Sequence, residues 1–313
     1  MGESAGVLRD GEGLRKAGTM RRREKEQLFQ YLQEMGEMQK KLRNKDLPTE
    51  DLLETLQQLQ SAGYEAGTAI EQSEGEGTRT VSLLEDYCEI LYQYSEKAGS
   101  SWEDRQKDLE KLDQGFQTIQ DSLVKDIPCR TEVVFLPYRA SFWRSMEDIW
   151  NMARQRTDCH AVVLPIPYFD KNPDGSLGEE HLERGLMPDD VEIVPFEEYH
   201  LQEAKPDVIF FSNPYDRDHK TMSVAPAFYS DQLKRYTDCL ICVPDEEQAI
   251  GAEFARTTGI FNADLVLVST EEERKNCVGN LTELTGEETR TYWENKIRLV
   301  KQDELERVLG TGK

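Results

Sequence analysis

Seven short apolar runs between Glu132 and Val300 constrain this chain more than any other feature of its sequence. Glu132–Tyr138 (EVVFLPY), Ala161–Tyr168 (AVVLPIPY), Val191–Pro195 (VEIVP), Asp207–Ser212 (DVIFFS), Cys239–Val243 (CLICV), Ala263–Ser269 (ADLVLVS) and Ile297–Val300 (IRLV) are rich in β-branched and aromatic residues and read as strands. Most are continuously apolar rather than alternating, the pattern of strands covered by helices on both faces of a parallel sheet. Helical patterns fill the intervals. Behind Ser141 as the expected N-cap, Phe142, Met146, Ile149, Trp150 and Ala153 form one apolar stripe, and capping boxes are expected at Thr270–Glu273 and Thr285–Glu288. Residues 128–313 are therefore expected to form an α/β, Rossmann-like, doubly wound and mainly parallel sheet.

Residues 20–127 carry a different period. Apolar side chains recur at helical spacing in four segments, traced by Leu28, Leu32, Met35 and Leu42; by Leu52, Leu53, Leu56, Leu59, Ala66 and Ala69; by Val81, Leu84, Cys88 and Leu91; and by Leu109, Leu112, Phe116, Ile119 and Leu123. Four helices in a bundle are expected, with Ser101 as an N-cap. Their polar positions are Glu, Gln and Lys, which offer no chemistry. Such a unit is either a helical adaptor that makes a homo-oligomer or a bundle that stabilises the domain after it. Residues 1–19, polar and Gly-rich, read as a disordered leader.

Charge narrows the partners. The chain holds 61 acidic against 38 basic side chains, a net charge of −23. A surface of that sign repels nucleic-acid backbones and anionic membranes, and the densest basic run, Arg21–Arg23, reads as a solvated helix face. No apolar run reaches the ~18 residues of a membrane span and no signal-peptide pattern is present, so the expected location is cytoplasmic. Six widely spaced cysteines are then expected as reduced thiols. Cys239 and Cys242 fall three apart on one strand and so should point to opposite faces, which disfavours a joint metal or redox role.

In open parallel sheets, ligands bind beyond the carboxyl ends of the strands. That rule selects the stretch carrying Tyr138, Arg139, Ser141 and Trp143, the stretch carrying Tyr168, Asp170, Asn172 and Asp174, and the stretch carrying Asn213, Tyr215 and Asp216. Arg139 suits an anion, the aromatic rings suit a flat or sugar-like face, and Asn and Asp suit hydroxyls, a set fitted to a sugar or polyol phosphate. His181 and His219 are the candidate general bases, and Asp216, Asp218 and His219 are close enough in sequence to approach one another. Phosphate loops, a G-x-G-x-x-G turn, a G-x-S-x-G elbow and H-E-x-x-H spacing are all absent, and no cofactor is expected. Asp170–His181 (DKNPDGSLGEEH) begins like a calcium loop, but His181 replaces its bidentate carboxylate, Pro173 interrupts it and a strand precedes it. It is expected to be a rigid turn holding Tyr168, Asp170 and Asn172 toward the crevice, without a metal.

The stretches FLPYRASFWRSMEDIW, VVLPIPYFDKNPDGSLG, KPDVIFFSNPYDRDHKTMSVAPAFYS and EQSEGEGTRTVSLLEDYCEILYQ resemble the N-terminal half of bacterial CDP-glycerol glycerophosphotransferase-like proteins, over about residues 50–300. The resemblance implies a GT-B-type transferase in which this Rossmann-like lobe faces the acceptor and a C-terminal lobe binds the CDP-linked donor. It implies that the chain stops before the donor lobe, leaving an acceptor lobe that binds a sugar or polyol phosphate. The alternatives are an active transferase working with a partner chain that supplies the donor lobe, and a non-enzymatic helical scaffold. Where relatives carry an aromatic segment after the fifth strand, this chain has the acidic Val243–Gln248, which implies weakened activity.

Overall fold

The computed structural model describes residues 20–244 and 253–311, and the chain divides between Arg130 and Thr131 into two compact units. The expected leader, residues 1–19, and the acidic positions Asp245–Gln248 lie outside the described residues.

In the first unit a two-residue strand, β1 (Met20–Arg21), leads into α1 (Arg22–Lys40), followed by α2 (Thr49–Glu74), α3 (Arg79–Glu96) and α4 (Trp102–Asp126). Their apolar stripes meet in one core that contains Leu32, Met35, Leu59, Ile70, Leu91, Leu112 and Leu123. The ends follow local rules. Ser101 caps α4 by accepting from the Asp104 amide, and Gly75, at φ 82°, closes α2 in a conformation that side chains with a Cβ avoid. Within this core Tyr87 donates to Gln39 Oε1 at 2.6 Å, and Gln39 Nε2 donates to Asp113 at 2.8 Å, so the buried amide is satisfied on both ends.

The division falls inside β2 (Cys129–Leu136), whose first two residues pair with β1 while Thr131–Leu136 belongs to the second unit. There follow α5 (Arg144–Gln155), β3 (Cys159–Val163), β4 (Tyr168–Lys171), β5 (Leu177–His181), α6 (Leu201–Ala204), β6 (Val208–Phe211), β7 (Met222–Val224), α7 (Ser230–Leu233), β8 (Cys239–Cys242), α8 (Thr258–Asn262), β9 (Leu265–Val268), α9 (Glu271–Thr285), α10 (Arg290–Lys296), β10 (Ile297–Leu299) and α11 (Gln302–Thr311). The principal sheet of this unit runs β3-β2-β6-β8-β9-β10 and is parallel throughout. The fold is thus α/β with a mainly parallel sheet, consistent with a Rossmann-like architecture.

Period-two alternation sends successive side chains of each strand into separate cores. Val134, Leu136, Ile209, Phe211, Leu240 and Cys242 pack on one face with α8 and α9; Val133, Phe135, Phe210, Cys239 and Ile241 pack on the other with α5 and α11. Cys239 and Cys242 accordingly sit in different cores. Counted in chain order within this sheet, the strands lie 2-1-3-4-5-6, so the direction of winding reverses between β2 and β6.

Several sequence expectations are corrected. Within the run Ala161–Tyr168 the strand ends at Val163 and Tyr168 opens β4; the Leu164 and Ile166 amides still donate to Phe135 O and Pro137 O, but Pro137 has no amide to donate in return, and Val191–Pro195 contributes one bridge, Val163 to Ile193. A second sheet, antiparallel in the order β5-β4-β7, was not foreseen. Asp170–His181 is the hairpin between β4 and β5, not a bare turn. Asn172-Pro-Asp-Gly175 closes it, with the Gly175 amide donating to Asn172 O at 2.9 Å and Gly175 at φ 84°. Ser141 caps nothing: Ala140–Phe142 form a 3-10 turn and α5 starts at Arg144 without a side-chain cap. Thr285 ends α9 instead of opening a helix, and Gly286, at φ 105°, terminates it, whereas Thr270 and Glu273 do form a capping box.

Candidate functional site

The winding reverses between β2 and β6, and the segments beyond their carboxyl ends occupy the position where sheets of this topology take ligands. Leu136 pairs with Phe211 at the carboxyl ends of the two strands; Tyr138 and Arg139 follow β2, and Ser212 and Asn213 follow β6. The hairpin closes one side. Glu183, just past β5, accepts from Tyr168 OH at 2.8 Å and from the Ala140 amide at 2.9 Å, tying the hairpin to the segment after β2.

Arg139 lies with its guanidinium carbon 4.7 Å from the centre of the Tyr168 ring and 5.8 Å from that of Tyr138. Its Nε is buried without a hydrogen-bond partner. Tyr138 and Tyr168 meet edge to face at 5.8 Å, and both are largely buried. Ser212 is 1% exposed and its hydroxyl is also unpartnered. A buried donor left unpaired costs free energy unless something fills its place, so these two atoms mark where the crevice lacks a partner.

The charge at this point opposes that of the chain. Burial, together with the positive charges of Lys171 and Arg139 and a smaller one from Lys220, holds the His219 imidazole below its ordinary pKa, against the pull of Glu253. Lys171 Nζ is itself tied to Arg217 O. His219 Nδ1 accepts from the Thr221 amide at 3.3 Å, which places the proton of the neutral ring on Nε2 and makes that atom a donor. A general-base role through Nε2 is therefore closed to His219 in this tautomer.

The remaining sequence candidates separate into three groups. Tyr215 is half-buried beside His219, with ring centres 5.2 Å apart. Asn213 and Asp216 turn inward: Asn213 Oδ1 accepts from the Tyr215 amide at 2.9 Å, and Asp216 accepts from the Ser230 amide at 2.9 Å and from its hydroxyl. Both are buried and position the loop, leaving no atom for a ligand. Asp218 bonds Thr258, so Asp216, Asp218 and His219 do not converge. Asn172 and Asp174 lie at the exposed hairpin tip and spend their side chains on Ser176, whose amide and hydroxyl hold the Asp174 carboxyl below its usual range. Ser141 is exposed. His181 Nε2 donates to Asp170 Oδ2 at 3.0 Å, and the ring stacks on Tyr168 at 5.0 Å. Trp143, offered as a platform, is a core residue at 2% exposure.

No family model, curated protein or solved structure matches this chain. The site must then be read from its own geometry. Three of its members escaped sequence reasoning: Glu183, Lys171 and Ser212. Ser212 reads as the last residue of the run Asp207–Ser212 and not as a site residue, whereas Glu183 acts on a residue 43 positions away and has no local signal. Among the described residues no helix is long and apolar enough to cross a membrane.

Proposed function

We propose that the second unit binds a sugar or polyol phosphate in the crevice beyond β2 and β6, as the acceptor lobe of a CDP-glycerol glycerophosphotransferase or related glycosyltransferase of GT-B type. The observation that carries this reading is the gathering of the Arg139 and Lys171 charges around His219 at the switch point of a chain whose net charge is −23. Positive charge concentrated in a cleft with apolar walls draws an anion there in spite of the acidic surface. The Arg139 fork is matched to two phosphate oxygens, and its stacking on Tyr168 limits the rotamers it must lose on binding. The unpartnered Ser212 hydroxyl supplies a donor and acceptor for a polyol hydroxyl. Tyr215, half-buried, offers a ring face for the C–H side of a sugar.

Calorimetric titration with glycerol 3-phosphate, CDP-glycerol and nucleotide sugars tests this. Saturable binding of at least one ligand is expected, weakened tenfold or more in Arg139→Ala, since loss of a charged hydrogen bond costs about 1.5–3 kcal/mol, and unchanged in Arg144→Ala on the exposed side of α5. Absence of heat with every ligand, or equal binding by Arg139→Ala, defeats the reading.

A further inference from the structure

The β4–β5 hairpin gathers chemistry that the crevice does not use. Tyr168 is paired across the ribbon with His181 and Phe169 with Glu180, and beyond them a bulge between Phe169 and Lys171 shifts the register at Asp170 and Glu179. One ligand atom from each of Asp170, Glu179 and His181 lies within 4.8 Å of the other two. His181 Nε2 and Asp170 Oδ2 are already 3.0 Å apart. Two donors on one metal ion at about 2.0–2.2 Å are separated by roughly 3–3.5 Å, so the third needs a side-chain adjustment of about 1 Å.

We propose that Asp170, Glu179 and His181 bind one divalent first-row transition metal ion, zinc or manganese. Donor chemistry selects this class. Calcium and magnesium favour shells made wholly of oxygen, while an imidazole with two carboxylates suits zinc or manganese. Calcium is disfavoured because His181 stands where the bidentate carboxylate belongs; the same histidine is what fits the other class of ion. Like charges facing each other on a two-stranded ribbon destabilise it, and a cation between Asp170 and Glu179 removes that repulsion. Stacking on Tyr168 fixes the imidazole plane, so little rotamer freedom is lost on binding. Gly178 completes the arrangement: a Cβ there would lie 3.2 Å from both Asp170 O and Asn172 Oδ1, so glycine lets the two strands approach beside the cluster. Three protein ligands on a solvent-facing ribbon leave at least one coordination position open for water or an anion.

This inference stands on the hairpin alone and holds or fails separately from the ligand reading of the crevice. The metal-stripped full-length protein is titrated calorimetrically with zinc chloride and with manganese chloride, and electron spin-echo modulation is recorded on the manganese form. One equivalent of metal is expected, with nitrogen modulation from the imidazole. His181→Ala should abolish that modulation, and Glu179→Gln should weaken binding at least tenfold, while Asp174→Asn in the same hairpin leaves both unchanged. Circular dichroism verifies that each variant is folded, and the wild-type nitrogen signal decides the matter if His181→Ala does not fold. Absence of saturable binding, binding without nitrogen modulation, or calcium bound as tightly as zinc overturns the proposal.

Discussion

Asp216 adopts a left-handed backbone at φ 48° with its carboxylate buried against Ser230, in the loop that frames the crevice. Burial pushes its pKa up to about 6, against hydrogen bonds from Ser230 that lower it. Because the folded value exceeds the ordinary 3.8, this group's stabilisation is fully present below pH 3.8 and is lost as pH rises through about 6. A shift of about two units corresponds to at most about 3 kcal/mol. Asp216→Asn keeps the tolerance for positive φ and the bond from the Ser230 amide, so its melting temperature should fall less than that of wild type between pH 4 and 7. Parallel scanning calorimetry checks this, and superimposable pH profiles would contradict it. His219 shifts the opposite way: its stabilisation is present above 6.5 and is lost as pH falls through its lowered value. The buried thiols follow the same physics. Burial raises Cys277 to about 12 and Cys242 well above 9.0, so both should resist a disulfide reagent at pH 8 in the native protein and react once it is unfolded.

At the scale of elements, α8 presses on the crevice loop through a glycine. A Cβ on Gly259 would meet Pro214 O at 2.6 Å and Pro214 Cα at 2.7 Å, both backbone atoms that cannot swing aside. Gly259→Ala should therefore cost about 1–3 kcal/mol of stability by urea titration and also weaken ligand binding, because Pro214 adjoins Asn213 and Tyr215. Strands β2, β6, β8 and β9 were legible because burial on both faces writes a continuous apolar run. The hairpin sheet was not: Leu177–His181 is mostly polar and half-exposed, and β7 has three residues, too few for a period to show. The site divides in the same way. Arg139 and Tyr168 were visible as residues at strand ends. The inward turn of Asn213 and Asp216 was not, since it depends on Tyr215 and Ser230 and on a φ that sequence does not specify.

Across the whole molecule, 61 acidic side chains against 38 basic ones set a self-repulsion that salt screens. Raising sodium chloride from about 20 to about 300 mM, which shortens the Debye length from roughly 20 Å to roughly 6 Å, should raise the melting temperature while weakening capture of an anionic ligand. Opposite signs for folding and for binding are expected because the ligand meets the positive charges of Arg139 and Lys171 while the chain as a whole is acidic; equal signs would show that the ligand does not meet Arg139 and Lys171. The central claim, that a phosphorylated polyol enters beyond β2 and β6, is tested most directly by titrating the isotopically labelled protein with glycerol 3-phosphate and mapping amide chemical shifts. The account predicts saturable perturbations concentrated at residues 138–141, 168–171 and 212–221, lost in Arg139→Ala. Perturbations confined to residues 22–126, or none at millimolar ligand, would contradict it.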